Sequence, residues 1–196
     1  MGKKLDDAAL DTIFRTARTF NGYTDAPVTQ DDIRAIYDLL KMGPTATNQH
    51  PARFVWCLSQ DAKDRLAALA SGNNAPKIRA APATVIIGMD SEFHEHLPQL
   101  LPHTDARPWF AEAAGREVSA FRNASLQGAY FIIAARALGF DTGPMSGFDN
   151  AAVDAAFFGD TPHVKSNFIS TIGIGDPTTI FDRLPRPAFE QFNTIA

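Results

Sequence analysis

Apolar residues fall at helical spacing early in the chain and in continuous runs later, which predicts helices first and buried strands afterwards. Leu10, Ile13, Phe14 and Ala17 stand at i, i+3, i+4 and i+7, predicting a helix over residues 7–19 that Asn21-Gly22 ends. Thr29 is placed to cap a second helix, with Asp31 and Asp32 in its first turn, where the positive helix end favours carboxylates. Ile33, Ile36, Tyr37 and Leu40 give that helix its apolar stripe, and Gly43-Pro44 stop it. Phe54 to Leu58, short, aromatic and β-branched, reads as a strand, and residues 61–70 read as a polar-faced helix.

Thr84 to Met89 is a continuous apolar run, as in a strand buried on both faces. Residues 91–114 are helix-rich but interrupted by proline. Asn123 to Leu138 is apolar nearly all round, which predicts a central buried helix with Gly139 at its left-handed C′ position. Asn150 is placed to cap a short helix through Phe157, and Phe168 to Gly173 is the last strand. Few strands, separated by helices around a helical centre, predict one α+β domain over residues 1–196, with a small mixed sheet surrounded by helices.

Composition narrows the function classes without choosing among them. A net charge of −4 with no run of like charges gives no nucleic-acid or membrane footprint. The N-terminus has two lysines but no apolar h-region, and the longest apolar stretch, Ala129 to Leu138, is broken by Arg136 and too short to span a bilayer. One cysteine, Cys57, excludes an internal disulfide and sits in an apolar run, so a buried, inert thiol is expected. A reduced, cytoplasmic protein is expected.

Two segments stand out chemically. Pro44-Thr45-Ala46-Thr47-Asn48-Gln49-His50-Pro51 and Gly143-Pro144-Met145-Ser146-Gly147-Phe148-Asp149 are small, polar, Gly/Pro-shaped loops at the ends of apolar elements. With Ala17-Arg18-Thr19-Phe20-Asn21-Gly22-Tyr23, Ser71-Gly72-Asn73, Asp90-Ser91-Glu92-Phe93, Leu184-Pro185-Arg186 and Phe189-Glu190, they run in the order found in FMN-dependent nitroreductases. The chain resembles that family from about Arg15 to Glu190. Within it, the chain is most similar to the malonic semialdehyde reductases of bacterial pyrimidine degradation.

The resemblance implies bound FMN, an intertwined homodimer, and NADH or NADPH as co-substrate. FMN needs three kinds of partner. Its phosphate wants guanidinium groups and a hydroxyl; the resemblance places Arg18, Thr19 and Asn21 there, with Arg183 and Arg186 closing from the C-terminal side. Many relatives carry two adjacent arginines where this chain has Ala17-Arg18. For the isoalloxazine ring the resemblance supplies Pro44, Thr45, Ala46 and Asn48 from the partner subunit, and Asn73 or Asn74 with Lys77 at the pyrimidine edge. Gly72-Asn73-Asn74 is equally readable as a plain turn. Pro144, Met145, Ser146 and Gly147 would make backbone contacts near flavin N5, with Gly143 and Gly147 admitting close approach. Several nitroreductases have an acidic residue at the Ser146 position, so only the backbone role carries over.

The resemblance makes residues 91–114 the roof over the flavin and residues 183–196 an extension onto the partner. Phe93, Arg107, Trp109 and Arg122 are the substrate candidates, the arginines as cations for a carboxylate. The implied reaction is hydride transfer from NAD(P)H through FMN to 3-oxopropanoate, giving 3-hydroxypropanoate; no catalytic side chain is singled out. The alternative within the family is a broad nitro- or quinone reductase. Outside it stand a flavin-binding protein that is not a reductase and a flavin-free interaction protein. A metal site at His94, His96, His103 and Asp105 is disfavoured by spacing, since i and i+2 face apart on a helix. No GxGxxG follows a strand, so a dinucleotide-binding Rossmann unit is not expected.

Overall fold

Thr29 caps the helix α2, Gln30–Leu40, through a reciprocal capping box: its hydroxyl accepts the Asp32 N–H and Asp32 accepts the Thr29 N–H. The Thr29 hydroxyl, donating to the Asp32 carboxylate, and then the Thr29 N–H hold that carboxyl below the usual carboxylate range. The structure is a computed structural model and describes residues 2–196. Upstream, α1 covers only Asp7–Leu10 and widens into a π-helical turn over Asp11–Arg15, which ends at Thr16 rather than near Asn21. The wide turn leaves the Arg15 and Ala17 carbonyls unused, and Arg183 takes both, at 2.9 and 3.0 Å.

Four strands make one sheet in the order β1 (Ala52–Cys57), β2 (Ala83–Asp90), β4 (Val164–Gly173), β3 (Asp141–Met145). All three strand pairs are antiparallel, which corrects the expected mixed sheet. Among the described residues the one parallel pairing is the isolated bridge Thr19–Thr142. Alternating strands and helices suggest parallel crossovers. Here, however, two helices between β1 and β2, α3 (Gln60–Ala67) and α4 (Ala75–Ala80), return the chain to the end it left.

β2 is buried along nearly its whole length, as its apolar run requires. Above the sheet lies α6, Ala113–Ala137, which buries Ala120, Ala124, Phe131 and Ala135 at helical spacing. Its opposite face leaves Val118, Phe121 and Leu126 exposed among polar residues such as Glu117 and Arg122, so the helix is covered on one side only, which corrects the expectation of a fully buried helix. Gly139 ends this segment at φ 83°, as expected. Asp149, not Asn150, caps α7 (Asn150–Phe157), its side chain accepting the Ala152 N–H at 3.0 Å. Asn150 instead donates its amide to Ser166.

Two short helices complete the order, α5 (Leu97–Leu100) and α8 (Phe189–Phe192). From Phe181 onward every residue is exposed, including Leu184, Phe192 and Ile195. Cys57 ends β1 inside the second core cluster, and burial pushes its thiol up to about 11. The native protein should therefore leave a thiol reagent unconsumed at neutral pH until denaturant is added; stoichiometric labelling of the folded protein would contradict this burial.

Candidate functional site

Arg18, Thr19, Asn21, Arg183 and Arg186 line one cleft of about 370 Å³ with Phe181, Asp182 and Leu184. The parallel bridge sets the near wall, pairing Thr19 with Thr142 at the start of β3. The backbone N–H of Phe20 donates to Thr142 O at 3.1 Å. Arg18 donates to Phe181 O, and Arg186 to Leu184 O at 2.9 Å. Among the described residues, none of the three arginines has a carboxylate partner within salt-bridge distance. Three guanidinium groups against one carboxylate, Asp182, leave the cleft lining net positive, which makes it a candidate anion site; Thr19, in the same lining, could add a hydroxyl to a phosphate. Asn21 is a brace in this wall: its Nδ2 donates to Thr179 O at 3.0 Å. Behind the cleft, burial raises the Asp141 carboxyl and lowers Arg136, whose Nη1 is bonded to Ile13 O.

Extended chain runs from this cleft to a second group of expected residues. Gly143 and Pro144, expected in a loop, are strand residues of β3. A proline is tolerated there because β3 is a sheet edge, where its missing N–H breaks no ladder. Past Met145 the chain meets the turn before α4: Ser71 N and Asn74 Nδ2 both donate to Gly147 O, at 2.9 and 3.0 Å. A Cβ on Gly147 would come within 2.8 Å of Asn74 Nδ2 and 2.9 Å of Ser71 Oγ. This glycine therefore admits the neighbouring turn, a packing role that the expected approach to a ligand did not include. Asn74 is committed to that clasp; the exposed Asn73 and half-buried Lys77 form no hydrogen bond or ion pair with their side chains among the described residues. Met145 packs into the core and Ser146 is exposed.

The Pro44 loop is built on the other side of the molecule. Thr45, Ala46 and Asn48 precede β1, the edge opposite β3. Three buried amides that the sequence reading did not single out hold this loop. Asn123 Oδ1 accepts the Ala46 N–H at 2.8 Å, Gln49 Nε2 donates to Ala46 O at 2.9 Å, and Gln127 Oε1 accepts the Ala52 N–H at 2.8 Å. Asn123 and Gln127, one turn apart on an otherwise apolar helix stripe, were the available signal. Asn48, expected to face a flavin, has its amide bonded to Leu100 O and to His50, both at 2.8 Å.

The substrate candidates scatter. Phe93 is 0 % exposed, its ring edge-on to Phe110 with centroids 4.9 Å apart, so it supports the 91–114 segment from within. Arg107 is bonded bidentately to Asp105 at 2.9 Å in an exposed ion pair, which occupies the carboxylate weighed as a metal ligand. Trp109 is 63 % exposed, and Arg122 stands on the exposed face of α6 beside Phe121.

Comparison with known proteins fits this geometry. The chain is 56% identical over 192 residues to a protein of Xanthomonas oryzae pv. oryzae described provisionally as an NADH dehydrogenase/NAD(P)H nitroreductase, covering 97% of each. It is also 56% identical over 197 residues to a protein of Stenotrophomonas maltophilia bearing the same description, covering 100% of each. A crystal structure from Exiguobacterium sibiricum 255-15, provisionally described as a nitroreductase and solved in complex with FMN, superposes with a TM-score of 0.83 at 18% identity over 100% of both chains. No helix among the described residues is long and apolar enough to cross a membrane. The nitroreductase family model matches residues 15–175, and the chain belongs to the nitroreductase family.

Proposed function

We propose that this chain is an NAD(P)H-dependent FMN oxidoreductase that works as a homodimer. What carries the reading is the cleft of Arg18, Arg183 and Arg186, three arginines that form no salt bridge among the described residues, at one end of β3, with the Asn74–Gly147 clasp at the other. Thr142 and Gly147 are five residue steps apart along and just past β3, at most roughly 17 Å, a length suited to a phosphate at one end and a ring at the other. FMN, when bound, supplies the hydride chemistry, and the protein's part is binding, orientation and electrostatics.

Two observations favour the dimer. The Pro44 loop and β3 flank opposite edges of the sheet, so a flavin touching both draws on two chains. The exposed apolar residues of α6 and the exposed apolar tail 183–196 are the surfaces a second copy would bury. The arginines would hold the phosphate; Lys77, near the clasp, would stabilise negative charge on a reduced ring.

For the acceptor, a broad nitro- or quinone-type reductase fits at least as well as a malonic semialdehyde reductase. Arg107, a cation proposed for a carboxylate substrate, is already paired with Asp105, leaving Arg122 for that task. The exposed ring of Trp109 suits flat acceptors. The names of the relatives point the same way. Purified protein is expected to be yellow, to bleach anaerobically with NADH or NADPH, and to regain colour with a nitroaromatic or quinone faster than with malonic semialdehyde. Faster recovery with the semialdehyde would reverse the acceptor assignment, and protein that cannot be reconstituted with FMN would end the flavin reading.

A further inference from the structure

His50 lies at the end of the Pro44 loop with both ring nitrogens bonded: Nδ1 is 3.1 Å from Gln127 Nε2 and Nε2 is 2.8 Å from Asn48 Oδ1. Both amides are oriented by contacts of their own. Gln127 Oε1 already accepts the Ala52 N–H, so only its NH2 faces the ring, and Nδ1 must be an unprotonated acceptor. Asn48 Nδ2 already donates to Leu100 O, so its oxygen faces the ring, and Nε2 must carry the proton. From either end the same neutral tautomer results. A second proton on Nδ1 would face an N–H donor with nothing to accept it.

The loop this imidazole holds is strained. Thr47, Asn48 and His50 adopt φ of 50°, 53° and 40°, three non-glycine residues in the left-handed region. Such backbone persists only where its surroundings over-determine it, and here they are the Asn123, Gln49 and Gln127 amides together with His50.

The groups around the ring oppose a positive charge on it. Gln127 from α6 is neutral, and Arg53 from β1 is a cation bonded to His50 O at 3.0 Å. Tyr37 of α2 and His96, before α5, line the same cleft. The nearby carboxylate, Asp90, is bonded to Arg53 and lies 3.8 Å from His96. Burial adds to this, lowering the pKa of His50.

We infer that His50 is a positioning residue whose neutral Nε2–H tautomer sets the Thr45–His50 loop for flavin, so that FMN affinity falls when the ring is protonated. The inference rests on the proposed place of this loop in the flavin site. Because the pKa is lowered, the neutral form and the bound loop are both intact at neutral pH and above. The loss comes on acidification, below the usual histidine range.

The test is FMN binding by fluorescence quenching across about pH 8 to pH 5, with the Gln127 side-chain NH2 resonances of FMN-free protein followed by NMR over the same range. Wild type should lose about tenfold in affinity toward the acid end, as the Gln127 resonances shift. His50→Gln keeps an acceptor and a donor but cannot titrate, so only the shallower fall from protonation of the FMN phosphate should remain. Gln127→Glu accepts an Nδ1 proton, so a protonated ring is accommodated and the acid loss due to His50 should be abolished. A His50→Gln protein with the wild-type pH profile, or a Gln127→Glu protein that keeps the full wild-type acid loss, overturns the inference alone. Gln127 resonances that shift while wild-type FMN affinity falls no more than that of His50→Gln overturn it by a different route, removing this loop from the flavin site.

Discussion

Replacing Arg18 and Arg186 together with alanine is expected to raise the FMN dissociation constant by about a hundredfold or more. A hydrogen bond to a charged group contributes a net of about 1.5–3 kcal/mol, and each 1.4 kcal/mol is tenfold. Arg18 is half-buried, so its charge is little screened, whereas Arg186 is exposed and its share falls with salt. Two such losses place the variant near the lower end of the possible range. Thermal stability should change little, because the bonds these side chains make are to carbonyls of the exposed tail. FMN titration at low and high salt checks the result: the wild type should weaken with salt more than the double variant. An unchanged dissociation constant would remove the phosphate from this cleft.

Asp90→Ala is expected to cost about 3 kcal/mol of folding stability, read as a lower urea midpoint. Asp90 ends β2 with its side chain only 2% exposed, bonded to Arg53 across from β1. It also accepts the Glu92 N–H at 2.7 Å. Removing it leaves a guanidinium, about one-third exposed, against the low-dielectric end of the sheet, and an unmet N–H beside it. Partial exposure of Arg53 keeps the cost near the lower bound for a broken buried pair. Asp90→Asn retains the acceptor for Glu92 and should fall between the two. Since small domains are stable by about 5–15 kcal/mol, the alanine variant should remain folded but unfold at clearly lower urea. A midpoint within error of wild type would mean that the pair is effectively solvated.

Much of the scaffold was legible because it follows from local chemistry. Thr29 and Asp32 specify a helix start wherever that segment lies, and the apolar run Thr84–Met89 fits only a strand covered on both faces. Asp141–Met145 was not legible as a strand, because Gly143-Pro144 has loop propensity and only an edge position makes it acceptable. Asp149 outranked Asn150 as a cap by a single residue, a choice fixed when Asn150 was drawn to Ser166. Phe93 looked like a ligand-facing aromatic among histidines, and burial against Phe110 decided otherwise.

Residue types determined which positions could bind what: arginines for an anion, amides that donate and accept, a long helix with enough apolar surface to need a partner. Those properties belong to the side chains and survive any fold. Tertiary structure alone decided which of them meet. It gathered Arg18, Arg183 and Arg186 from opposite ends of the chain around one cleft, with none of them in a salt bridge among the described residues. It paired Arg107 with Asp105 and directed the Asn48 amide toward His50 and Leu100. It also set the Pro44 loop and β3 at opposite sheet edges. Strand order and hydrogen-bond partner choice depend on contacts between residues far apart in sequence, and local spacing carries no record of them.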